Sequence, residues 1–138
     1  MEKSEQILQA LITICEGLGV GTELDRVLPV NEKECPLFVV RSGVEEMTPP
    51  TGARLETCGQ YWTMMPQIEF YQAGQAPVEM RAENVRLWSE FREAFFRSPV
   101  LGMLAHGTLP DLERNLTSPS ANPKISGFFI DMAFTFKR

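Results

Sequence analysis

The chain has 138 residues, 43% apolar and 22% charged, an ordinary balance for a single soluble domain (1–138) with its own core. Thirteen cations against eighteen carboxylates leave a net charge of -5, which argues against a nucleic-acid binder working through a basic surface. Cys15, Cys35 and Cys58 show no C-x-x-C spacing, and only His106 could join them as a ligand. No metal site is expected, and the thiols read as reduced. Glu5, Gln6 and Gln9 interrupt the first apolar residues, so no signal peptide is expected. No apolar run approaches the roughly 18 residues of a membrane span.

In chain order, Ser4 is a candidate N-cap. Ile7, Leu8, Leu11, Ile14, Cys15 and Leu18 then recur at helical spacing, predicting an amphipathic helix that Gly17, Gly19 and Gly21 end. Those glycines follow a helix rather than precede one, so they are not a phosphate cradle. From Thr22 to Glu34 the pattern breaks down. Pro36 to Arg41 reads as a buried strand, and Gly43 to Gly59, with Pro49-Pro50, as an exposed loop or long irregular hairpin. Tyr61 to Tyr71 alternates, with Trp62, Met64, Ile68 and Phe70 on one face. Pro66 within that run cannot donate to a ladder and marks an edge position or a bulge.

A second helix is expected over Arg81 to Arg97, with Val85, Trp88, Phe91 and Phe95 along its apolar face. Ser98-Pro99 stops it, and Ser98 is placed to cap a short turn through Leu104. Leu112 to Leu116 suggests a short strand, and Ser118 to Pro123 a loop. From Ser126 to Arg138, Phe128, Ile130, Met132, Phe134 and Phe136 alternate with Phe129, Asp131, Ala133, Thr135 and Lys137. That period of two places the final segment in a strand with one face in a core. Together these elements predict an α+β two-layer sandwich, a mainly antiparallel sheet with two helices on one face and a closing core strand.

No catalytic pattern emerges. His106 has no nucleophile motif around it, and Glu45-Glu46 and Glu90 with Glu93 read as solvated carboxylates. Asn115-Leu116-Thr117 matches a glycosylation sequon only by chance, without secretion. Neither catalytic nor cofactor-binding residues are expected, and the chain reads as something other than an enzyme. Phe96 and Phe129 fall off the apolar faces of their elements, and Tyr71 lies on the polar face of its strand. With Glu45, Glu46, Met47 and Met65 they form a candidate protein–protein interface.

The helix Arg81 to Arg97 running into Ser98-Pro99-Val100-Leu101-Gly102-Met103-Leu104, then a short strand, a loop and the alternating strand Ser126 to Arg138, resembles the tail terminator (tail completion) proteins of long-tailed bacteriophages. The earlier half agrees with that family in order of elements only. The resemblance implies a structural virion protein, assembled in the host cytoplasm, that caps the tail tube as a homomeric ring, commonly a hexamer. The tail tube protein and the head–tail connector would be its partners, and DNA would pass through the lumen without specific binding. A different class, a small acidic secretion-type chaperone or adaptor, shares the size and charge, but such chaperones usually finish with a helix.

Overall fold

The computed structural model describes residues 2–47, 61–74, 77–104, 111–116, 118–120 and 124–137. The helices are α1 (Lys3–Gly17), α2 (Pro77–Arg97) and α3 (Pro99–Leu104). The strands are β1 (Gly21–Leu24), β2 (Leu37–Met47), β3 (Tyr61–Ala73), β4 (Asp111–Asn115) and β5 (Ile125–Lys137). All five form one sheet in the order β1-β2-β3-β5-β4, with antiparallel pairs except for the parallel β1–β2. The α+β sandwich expected from periodicity is the fold observed, with a third, short helix.

The helix-facing side of the sheet is the core. Phe38, Phe70 and Phe128 stand directly opposite one another across β2, β3 and β5, with successive ring centroids 4.9 and 5.3 Å apart. Further along, Phe134 meets Phe95 of α2 at 5.8 Å, and Met64, Ile68, Ile130, Met132 and Phe136 fill the same layer. Ile7, Leu8, Leu11 and Cys15 of α1 and Leu87, Phe91 and Phe95 of α2 close it from above. Burial holds the Cys15 thiol far above its ordinary range, with Glu16 adding to the effect.

Several boundaries differ from the sequence reading. Helix α1 starts at Lys3 with Glu2 as its N-cap, so Ser4 lies inside the first turn. The broken stretch after α1 contains β1, too short to show a period. Strand β2 does not stop at Arg41 but continues to Met47. Glu45, Glu46 and Met47 therefore belong to a strand, not to a loop. Residues 42 and 43 form a bulge opposite Pro66: Arg41 pairs with Gln67 and Val44 with Met65, one residue out of register. Strand β3 is central. The Met65 carbonyl faces β2, so the Pro66 nitrogen points toward β5, where the pairing skips Met65 and Pro66. This gap in the ladder, rather than an edge, accommodates the proline.

On α2 the buried stripe is Leu87, Phe91 and Phe95. Val85, placed on the apolar face by its spacing, is instead 49% exposed, because it lies on the flank of the helix that carries Trp88. Ser98 Oγ accepts from the Leu101 amide at 3.3 Å, the capping role expected of it. Leu116 lies beyond β4 and is exposed.

Candidate protein interaction surfaces

Alternation along the strands gives the sheet a second face, and only part of it is covered. At one end, Leu37, Val39, Tyr71 and Ile125 form a small second cluster, against which Val30 and Cys35 pack from the β1–β2 connection. Beside it, Arg41 pairs with Glu69 at 2.9 Å, and the Tyr71 hydroxyl donates to the same carboxylate at 3.0 Å. Burial and the Glu69 charge push the Tyr71 phenol up to about 12. Toward the other end the face carries Val44, Glu46, Thr63, Met65, Gln67, Phe129, Asp131, Ala133 and Thr135. Gln67 Nε2 donates to Asp131 Oδ1 at 2.7 Å, and the Thr63 and Thr135 hydroxyls lie 3.1 Å apart. No described helix or loop packs over this part, where Val44 and Met65 are exposed.

The seven interface candidates therefore do not form one patch. Glu46, Met65 and Phe129 share the uncovered face. The bulge turns Glu45 and Met47 to the helix side, where they stand opposite Met64 and Trp62. Phe96 is half out of the surface of α2, edge-on to Phe95 at 5.2 Å. Tyr71 is 6% exposed and offers nothing to a partner, because the connection that covers it has no sequence period to announce it. His106 and Cys58 lie outside the described residues.

Two features escaped the sequence reading. The first is the connection from β1 to β2, built around one guanidinium. Arg26 Nε donates to the Leu28 carbonyl at 2.8 Å and Nη2 to the Pro29 carbonyl at 3.0 Å. The same group pairs with Glu23 and with Glu34, and Arg41 donates to the Arg26 carbonyl. An Asn31 capping box with Glu34 closes the single 3-10 turn Glu32–Glu34. Arg26 holds the Glu34 carboxyl below its usual range, with the Asn31 amide adding to it. At the start of the connection, Asp25, with φ 49°, accepts from the Ser42 amide at 2.8 Å and from its hydroxyl. These bonds lower the Asp25 carboxyl. The segment is thus fixed, yet Val27 and Leu28 at its tip are 93% and 72% exposed. Two adjacent aliphatics in an otherwise patternless stretch are the sequence signal for it.

The second is at the opposite edge. Arg114 of β4 shares the helix-facing side with Ile130, and its guanidinium lies 5.2 Å from the Trp88 ring centroid. Arg92 lies 5.9 Å from the same ring. Arg81, Val85, Trp88 and Arg92 follow one another at helical spacing along one flank of α2. A cleft of about 380 Å³ opens between this flank and the β4–β5 edge. Arg81, Arg92 and Arg114 have no carboxylate within ion-pair distance among the described residues, whereas Arg26, Arg41, Arg86 and Arg97 all do.

Among the described residues, no group of three His, Cys, Asp or Glu side chains is placed to hold a metal ion. No described helix is long and apolar enough to cross a membrane. Neither a protein-family model nor a curated protein sequence matches the chain.

Proposed function

We propose that the chain is a structural protein of a long-tailed phage virion, a tail terminator that caps the tail tube as a homomeric ring and joins it to the head connector. The observation that carries this reading is the run from α2 through Ser98-Pro99 into α3, then β4 and the closing core strand β5. That is the order of elements on which the resemblance to tail terminators rests. The surfaces are of the kind such a role needs. A small sheet with helices on one side presents an uncovered face with exposed Val44 and Met65, and its two edges are chemically unlike. Contacts between unlike surfaces generate rings when the rotation closes. A net charge of -5 suits a channel wall that should not hold passing DNA.

The test is tube length. The purified chain, added to polymerising tail tube protein of the phage that encodes it, is expected to stop growth. By electron microscopy, tubes become shorter and carry extra density at one end. An unchanged length distribution at saturating chain would overturn the reading.

A further inference from the structure

We infer that the Val27-Leu28 tip of one copy docks into the cleft between α2 and β4 of the next, so that successive copies associate head to tail. The inference rests on the ring reading above and assigns its subunit contact.

The two surfaces lie at opposite ends of the strand order, since β1 is one edge of the sheet and β4 the other. A contact between them uses a different patch on each copy, and so it propagates instead of stopping at a pair. Each surface is incomplete alone. The tip exposes two aliphatic side chains on a segment that the Arg26 bonds have already ordered, so docking costs little further conformational entropy. The cleft offers Met80, Val85 and Leu116 as apolar lining, with Leu116 itself 72% exposed. Asn84 Oδ1 in its wall takes no hydrogen bond among the described residues.

Charge selects the pairing. From Glu23 to Glu34 the tip segment carries Glu23, Asp25, Glu32 and Glu34 against only Arg26 and Lys33. The cleft side presents Arg81 and Arg114, both without a carboxylate among the described residues and Arg114 already held against Trp88. In a chain of net charge -5, unpaired guanidiniums gathered at one edge are complementary to the acidic segment at the other. Arg and Trp are also the residue types that dominate interface energetics.

The test uses two full-length variants, Val27→Ser with Leu28→Ser, and Arg81→Glu with Arg114→Glu, each checked for folding by circular dichroism. Leu116→Asp replaces the second if Arg114→Glu does not fold. Masses are read by light scattering up to the highest soluble concentration. The wild-type chain is expected to assemble, and each variant to stay at the mass of one chain. An equimolar mixture should form a pair and no more, because only one intact tip and one intact cleft remain between the two. Folded variants that assemble like the wild type would overturn the inference while leaving the ring reading in place. A wild-type chain that never self-associates would overturn it as well, and tube length then decides the ring reading separately.

Discussion

Gly43 and Pro66 face each other where β2 slips by one residue against β3. A Cβ on Gly43 would come within 1.9 Å of the Met65 carbonyl oxygen and 3.2 Å of the Pro66 Cα, and Gly43 has φ 69°. Pro66 has no amide hydrogen to offer, and its nitrogen points away from β2 toward β5, where the pairing skips Met65 and Pro66. The gap in the β3–β5 ladder lets proline sit in a central strand, and the bulge on its other side places Gly43 too close to the Met65 carbonyl for a side chain. Gly43→Ala combines left-handed strain of about 1–2 kcal/mol with a backbone clash. It should lower stability by about 2 kcal/mol or more, read as a shift of the urea midpoint. An unchanged midpoint would mean that the bulge lies elsewhere.

Arg26 is predicted to matter for order and not for the core. Arg26→Ala removes the bonds to the Leu28 and Pro29 carbonyls and both ion pairs. The core cluster on the helix side is untouched. Limited proteolysis should find new cleavage between residues 26 and 34, with the cooperative unfolding transition retained. Equal protease resistance in the variant would show that Arg26 does not hold the segment.

Tyr71 is expected to give the protein an alkaline transition. Its phenol is raised to about 12 by burial first and then by Glu69. The stabilisation linked to the neutral phenol is complete below its ordinary pKa of about 10. It is lost as pH rises through the folded-state value. Tyr71→Phe should cost about 1 kcal/mol at neutral pH through the lost bond to Glu69 and should flatten the fall in stability above pH 10. Denaturation at several alkaline pH values, compared between the two proteins, checks both effects.

Asp25 provides the acid counterpart. Its carboxyl is lowered chiefly by the Ser42 hydroxyl, then by the Ser42 amide. The linked stabilisation is present above the ordinary aspartate pKa and disappears as pH falls through the depressed one. Ser42→Ala should therefore destabilise the protein at neutral pH and make little difference once Asp25 is protonated in both states. A penalty that stays constant into strong acid would contradict this coupling.

Phe134 tests the core assignment. It is fully buried and touches Phe95. Phe134→Ala should cost about 3–5 kcal/mol, whereas Phe96→Ala, on the exposed side of the same helix, should cost much less. Comparable midpoint shifts for the two variants would refute the orientation of α2.

What could be read in the sequence follows from periodicity. Phe128 to Phe136 and Ile7 to Cys15 bury single faces, and their spacing shows it. Strand β1 has four residues, fewer than a period needs, and the end of β2 is hidden because the bulge at Gly43 resets its alternation. The sequence of Glu45 and Glu46 thus reads as a loop, and that of Tyr71 as open, because the segment carrying Val30 and Cys35 over it is held by Arg26 and not by a pattern. Arg114 and Trp88 lie 26 residues apart in the chain and meet only because β4 returns beside β5, a long-range pairing that local spacing cannot express.

The central claim, that the chain is a ring-forming structural protein, is tested most directly by the solution mass of the purified full chain across a wide concentration range, followed by negative-stain imaging. The account predicts a mass that rises with concentration and stops at a fixed multiple, near six copies, with annular particles. A mass that saturates at two copies, in compact particles, would contradict it.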